Sequence, residues 1–196
     1  LPDKFEHAAQ SGVHLEKRFF EGLERLGLDL VDLASIVHGS TTVINTIVQE
    51  KGARVGLITT QGFRDVLELG RGNRAQIYNL FYTQPPPLIP RYLRLEVSER
   101  LNRLGETLVP LDEAATREAL LALKAQGVAG VAVCFLHAYA NPCHERRVAE
   151  LAAEVFPEAV VSLSSDIVRE WREFERTSTT VLDVYAKPRM TAYLKA

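Results

Sequence analysis

His38-Gly-Ser-Thr-Thr-Val-Ile-Asn-Thr-Ile-Val-Gln-Glu-Lys-Gly-Ala-Arg-Val-Gly-Leu-Ile-Thr-Thr-Gln-Gly62 reads as strand, helix, strand. Ile36 and Val37 lead into a turn at Gly39, and Ser40, Thr41 and Thr42 then offer hydroxyls where a helix needs its first amide donors satisfied. Val43 with Ile47 and Ile44 with Val48 repeat at helical spacing, which predicts a buried face on a helix of about three turns. Gly52 stands where a left-handed residue ends a helix at low cost. Val55 to Ile58 is then a short apolar run, as expected of a parallel strand covered on both faces, and it stops at Thr59, Thr60 and Gln61. A helical crossover makes the two strands parallel neighbours, so both polar strand ends fall on one sheet edge. Ligands of open α/β sheets bind at that carboxyl edge, and a helix N-terminus there suits a phosphate, a carboxylate or a polarised carbonyl oxygen. The competing reading is that these hydroxyls are ordinary helix caps.

Working outward, the composition narrows the function classes. In 196 residues, 46% are hydrophobic and 24% charged, with a formal net charge of −2, which describes a globular chain with a real core. Lys and Arg are scattered, so neither a nucleic-acid stripe nor a polybasic membrane patch is expected. The longest apolar run, Val128 to Leu136, is too short to span a bilayer, and two cysteines are too few for a disulfide framework. A cytoplasmic location is the default expectation. A first residue of Leu1 and unclosed helical patterns at both ends suggest a segment of a longer polypeptide.

Before the elbow, residues 4–26 show helical spacing, ended by Gly27, with a short turn over Leu30 to Leu33. After it, Phe63 to Glu68 is a brief helix and Gly70-Arg-Gly-Asn-Arg74 a basic loop. Residues 84–110 read as an insertion or boundary. Four prolines make Gln84 to Pro90 irregular, and the alternation of Leu93, Leu95 and Val97 with Arg94, Glu96 and Ser98 predicts a half-exposed antiparallel strand paired with Glu106 to Val109. Asp112 caps an amphipathic helix that carries Ala115, Ala119, Leu120 and Leu123 and ends at Gly127. Val128 to Leu136, a helix opened by Asn141-Pro142, and Val160 to Leu163 then form a second crossover unit. Glu173 to Tyr185 is a helix whose Glu and Arg are expected to pair locally, and Pro188 starts another helical pattern.

Cys134, Cys143, His137 and His144 match no standard zinc spacing, and a thiol in an apolar strand is a poor nucleophile, so no metal is expected. No P-loop and no Gly-x-Gly-x-x-Gly fingerprint occurs. Arg71 and Arg74 suit a clamp on a carboxylate or phosphate, with an exposed basic turn as the alternative.

Four stretches together, His38-Gly-Ser-Thr-Thr-x-x-Asn45, Gly62-Phe-Arg-Asp-Val-Leu-Glu-Leu-Gly-Arg71, Gly130 to His137 with Asn141-Pro-x-His-Glu145, and Glu175-Arg-Thr-Ser-Thr-Thr180, resemble the N-terminal region of the hydantoinase A / 5-oxoprolinase family. The resemblance covers nearly the whole chain, residues 1–196. It implies an α/β, actin-like, ribonuclease-H-like ATPase fold fragment with parallel strand-helix-strand units and an inserted antiparallel hairpin. It also implies ATP and Mg²⁺ in the full-length enzyme, a cyclic-amide substrate such as a hydantoin or 5-oxoproline, and a hydantoinase B-type partner subunit or domain. Relatives in the family carboxylate ketones such as acetone, which keeps a carboxylase subunit as an alternative, and a non-catalytic interaction module is a second. The family's Asp-x-Gly-Gly-Thr phosphate loop is absent here, and Ser40 stands where the motif usually has Thr. The implied chemistry is phosphorylation of a poorly electrophilic amide oxygen, which needs positioning and charge stabilisation above all. Substrate binding is expected of His38, Ser40, Thr41, Thr42, Asn45, Arg71 and Arg74, with Thr59, Thr60, His137, Glu175 and Arg176 as further candidates, and the catalytic residues remain unassigned.

Overall fold

The computed structural model describes residues 24, 25, 27 and 41–195; the expected helix before the elbow, apart from its end, and the segment containing His38 and Ser40 lie outside them. Glu24 and Arg25 are helical and Gly27 follows with φ +65°, the left-handed helix end expected of glycine. The elements that follow are α1 (Thr42–Val48), β1 (Val55–Thr60), α2 (Val66–Leu69), a 3₁₀ turn (Arg91–Leu93), β2 (Arg94–Val97), β3 (Arg100–Leu101), β4 (Thr107–Val109), α3 (Glu113–Ala125), β5 (Gly130–Cys134), α4 (Cys143–Val155), β6 (Val160–Leu163), α5 (Ser164–Ile167) and α6 (Glu173–Lys195).

A four-stranded sheet runs in the order β2-β1-β5-β6 with every pair parallel. β1 and β5 are buried at every position, the continuous apolar run that two covered faces demand. Two glycines show how close the covers come. A Cβ on Gly130 would lie 2.7 Å from Val184 of α6, and one on Gly56 would lie 2.6 Å from Leu123 of α3. Gly130 is in register with Val55, the residue before Gly56, so these side chains would leave opposite faces and the two helices cover opposite sides. Asp112 caps α3 as expected, its carboxylate accepting from the Ala115 N–H at 2.9 Å. Leu57, Ile58, Val131, Val133, Leu120, Leu123, Leu151 and Val184 form the core, each contributing about 1.5–3 kcal/mol by leaving water.

Several expectations are corrected. Helix α1 has seven residues, about two turns, and the residue it buries is Thr46, whereas Ile44 and Val48 are exposed. Its C-terminal turn places Glu50, not Gly52, in the left-handed region at φ +52°. Gly52 is required for a different reason: a Cβ there would fall 2.1 Å from the Tyr185 ring. The strand at Arg94–Val97 is not half of the hairpin but the parallel edge neighbour of β1, and the antiparallel pair is β3 with β4. Its polar alternation misleads because those side chains are bonded to the chain's own loops. Arg94 is buried, donating to the Ile89 carbonyl and to Glu68, and Glu96 accepts from the Gly62 and Arg64 N–H groups. Finally, α6 continues through Pro188 instead of restarting there; the turns before it are packed against the sheet through Val181, Val184 and Tyr185, and Met190 and Leu194 beyond it line a groove with α1, although proline removes one ladder bond. Among the described residues no helix is long and apolar enough to cross a membrane.

Candidate functional site

From β1 the chain crosses to β2 on one side, and β5 and β6 are laid down on the other, so the carboxyl ends of β1 and β5 bound the crevice where open α/β sheets take ligands. Thr59, Thr60 and the turn from Cys134 to Tyr139 converge there. Their polar groups are turned inward. The Thr59 hydroxyl donates to the Cys134 carbonyl at 2.9 Å, and the Thr60 hydroxyl donates to Glu99 while accepting from the Leu136 N–H at 3.0 Å. The second Glu99 oxygen lies 2.8 Å from Nδ1 of His144, which donates if the carboxylate is ionised. Glu145 Oε1 accepts from the Phe135 N–H at 3.0 Å and the Ser164 hydroxyl at 2.5 Å, and its Oε2 accepts from the Ser165 N–H at 2.8 Å. One carboxyl group thus ties the end of β5 to the start of α5. Burial pushes its pKa up against the pull of those donors.

Arg176 completes this buried set from the first turns of α6. Its Nη2 donates to the Phe135 carbonyl at 2.6 Å and its Nη1 to the Glu170 carbonyl at 2.8 Å, while the guanidinium lies 5.5 Å from the centre of the Tyr139 ring. Its Nε has no partner among the described residues, and Arg176 borders a cavity of about 10 Å³ walled by Thr59, Phe63 and Cys134, room for one water at most. The expected local pairing of Glu and Arg is therefore corrected: Arg176 bonds carbonyls, and Glu175 pairs with Arg71 at 2.7 Å, far off in sequence. His137 is half-buried at φ +58°, with Nδ1 3.2 Å from the Tyr139 hydroxyl. A non-glycine residue in that conformation is uncommon, and His is one of the types that tolerates it best. Burial raises the Cys134 thiol pKa, and the thiol accepts from the Thr177 hydroxyl at 3.1 Å, so it is not a nucleophile at neutral pH.

Of the other candidates among the described residues, Thr41, Asn45, Arg71 and Arg74 face solvent and Thr42 is half-buried. Thr41 precedes α1 without capping an amide; its hydroxyl oxygen instead accepts from the Asn45 side-chain amide at 3.2 Å. That bond leaves the Thr41 O–H and one Asn45 N–H as donors by chemical inventory. Thr42 contributes its carbonyl to the Thr46 hydroxyl. Arg74 is exposed and has no ion-pair partner among the described residues. The structure brings together Arg71 with Glu175, and Thr59, Thr60 and Arg176 with the end of β5. It does not join the elbow to Arg71: Val43 and Ile47 share a groove with Leu182, Met190 and Leu194 of α6, whereas Arg71 lines a hollow with Phe174 at that helix's beginning.

Among the described residues no group of three His, Cys, Asp or Glu side chains is placed to share a metal ion. Sequence reasoning overlooked Glu99, whose surroundings Ser98 and Arg100 carry no motif, and Arg94, which alternation placed outside. Glu145 lay within a quoted motif, yet nothing in its spacing announced a buried carboxylate.

Residues 14–156 match the family described as hydantoinase/oxoprolinase N-terminal region. The acetophenone carboxylase gamma subunit of Aromatoleum aromaticum is 36% identical, over 86% of this chain and 25% of that protein. The caprolactamase subunit alpha of Pseudomonas jessenii is 33% identical, over 85% of this chain and 24% of that protein. The crystal structure of the ATP-dependent caprolactamase from the same organism superposes with a TM-score of 0.81 at 28% identity, covering 95% of this chain and 28% of that one. Nucleotide-free acetone carboxylase gives 0.75 at 29% identity, covering 89% and 28%. This chain thus spans about a quarter of the length of these relatives. The expected α/β, actin-like class holds, with its parallel sheet and separate antiparallel hairpin. With the match running from the elbow through strands β1 to β5 and helices α3 and α4, this chain belongs to the hydantoinase/oxoprolinase N-terminal region family.

Proposed function

We propose that this chain is the substrate-side part of a cytoplasmic, ATP-dependent hydrolase that opens cyclic amides, working with a hydantoinase B-type partner subunit. The likeness to caprolactamase along 95% of the chain carries this reading. In this reading ATP and Mg²⁺ are held by parts of the enzyme beyond this segment, whose sequence carries no Asp-x-Gly-Gly-Thr loop, and the work of this chain is on the other reactant. Resonance already places partial negative charge on an amide oxygen, and that oxygen must be held in one orientation to take a phosphoryl group as ADP leaves. Donors already aimed at that oxygen stabilise the charge without reorganising at the moment of reaction. The Thr41 hydroxyl and the Asn45 amide are such donors, adjacent, exposed and not spent on the core, unlike those of Thr59 and Thr60. His38 and Ser40, just before them, belong to the same proposed site.

A second reading is favoured by the 36% identity to an acetophenone carboxylase subunit: an ATP-dependent ketone carboxylase component. Both readings present a carbonyl oxygen to the elbow. ATP consumption by the full-length protein and its partner, measured with caprolactam, hydantoin or 5-oxoproline and separately with acetone or acetophenone plus bicarbonate, separates them. Thr41→Val and Asn45→Leu then test the elbow in whichever reaction runs. Each is expected to lower kcat/KM by about a hundredfold, the scale of one lost oxyanion donor, with ATP affinity retained. Turnover at the parent rate in both variants makes the elbow a scaffold and removes it from the site.

A further inference from the structure

Between α2 and the 3₁₀ turn, residues 70–90 form an arm that presents the apolar side chains of its middle to solvent, while Ile89 near its end is anchored in the core. Ile77, Tyr78, Leu80 and Phe81 are 73%, 97%, 90% and 92% exposed. Local bonds hold this presentation. The Asn79 N–H and the Tyr82 N–H close successive turns onto the Gln76 and Asn79 carbonyls, and the Phe81 N–H donates to the Asn79 side chain at 2.9 Å. Proline at 85, 86, 87 and 90 then stiffens the return to β2. An arm made only to connect α2 to β2 has no reason to expose two aromatics and two branched aliphatics side by side.

We propose that this arm docks into another polypeptide, the partner subunit of the assembly, at an apolar pocket rimmed by carboxylates. Three observations select that occupant. Area is the first: at about 150–250 Å² per aromatic side chain, Tyr78 and Phe81 alone supply roughly half of the ~800 Å² that one partner contributes to a standard interface. Composition is the second, since Tyr, Phe and Arg are the types enriched where proteins meet. Charge is the third. Residues 70–90 hold two arginines and no acidic residue, within a chain of net charge −2. Arg71 is neutralised by Glu175, so Arg74 is the cation the partner's carboxylates would meet. A second copy of this chain is disfavoured by the same feature, because a two-fold contact would set the basic arm against itself.

The inference rests on the partner-subunit element of the proposed function. Its test uses the full-length protein and its separately purified partner subunit, with affinity measured by calorimetry and assembly by sedimentation. Tyr78→Ala with Phe81→Ala is expected to weaken association by at least about thirtyfold, the threshold of an energetic hot spot, with Tm unchanged. Arg74→Glu is expected to weaken it several-fold and to flatten its salt dependence, and Leu108→Ala, an exposed leucine on β4, to leave it unaltered. Undiminished affinity in the double variant overturns the proposal. So does self-association of the full-length protein that the double variant abolishes, which assigns the arm to a second copy. Flotation with phosphatidylcholine–phosphatidylserine vesicles, lost in that variant, assigns it to a membrane instead and overturns it equally. A complex that opens lactams normally with the arm mutated refutes this inference alone; a complex that needs the arm to assemble yet turns over no cyclic amide refutes the proposed reaction alone.

Discussion

The end of β5 and the arm at residues 70–90 are both rich in groups that suggest a site, and they differ in what those groups touch. At the strand end, Thr60, Glu99, His144, Glu145 and Arg176 are all buried and spend all but one of their buried polar atoms, the Arg176 Nε, on one another, on Ser164 or on backbone. On the arm, Arg74, Tyr78 and Phe81 are exposed and spend almost nothing. Burial makes an unmade hydrogen bond costly, so the first set is frozen by its own chemistry. Exposure leaves the second set to whatever arrives. Residue type alone would have ranked them in the opposite order.

The comparison breaks most readily at Arg176. Replacing it with Met keeps most of the stem's packing but strands the buried Phe135 carbonyl and releases the part-buried Glu170 carbonyl, and should cost about 3 kcal/mol, read as a lower denaturant midpoint at unchanged m. A loss under about 1 kcal/mol would show that this guanidinium was held for a ligand and not for the fold. Glu145→Gln should cost less, about 2 kcal/mol, because an amide nitrogen would face a backbone N–H that the carboxylate accepted. Its pH dependence has a definite sign. The folded carboxyl has a raised pKa, so above the ordinary glutamate range the unfolded chain loses that proton first and parent stability falls as pH rises. The gap between parent and Gln variant should therefore be widest in acid and narrow towards neutrality.

The arm should answer oppositely. Arg71→Ala and Arg74→Ala are expected to move stability by less than about 0.5 kcal/mol, as exposed positions do, while lowering turnover of the full-length enzyme. Lost stability with unchanged specific activity would make the loop structural after all. Calorimetry of the isolated segment with ATP and Mg²⁺ is expected to show no tight binding; micromolar affinity would reveal a nucleotide cradle in these residues.

How much of this was legible depends on where the information resides. Periodicity revealed β1, α3, β5 and α4, because a buried face must repeat with its element's own geometry. It failed at Arg94, since a charge neutralised by Glu68 inside the fold is indistinguishable in sequence from one in solvent. It failed at Gly52 for a related reason: the Tyr185 ring that forbids a Cβ there comes from the far end of the chain. At the candidate site, the hydroxyls of the elbow and the carboxyl edge were legible as residue types. Their division into spent and available donors was not, because Glu99 and Cys134, which consume the Thr60 and Thr59 hydroxyls, are brought there by the sheet.

The smallest effect lies at the Arg71–Glu175 contact, where the arm meets the first turn of α6. Glu175's own backbone N–H, and then Arg71, hold its carboxyl below the usual glutamate range, while partial burial opposes them. A depressed folded pKa means that the unfolded chain takes up its proton first as pH falls. The contribution is therefore fully present above the ordinary glutamate value and is lost as pH drops through the lowered one. Comparing Tm for the parent and Glu175→Gln should show a small gap at neutral pH that closes in acid, a slope opposite in sign to that at Glu145. High salt should shrink the gap because the pair is solvent-exposed. A gap that survives both acid and salt would mean that Glu175 acts by packing, and the contrast between a bonded interior and a loosely tethered arm would then fail at the point where the two touch.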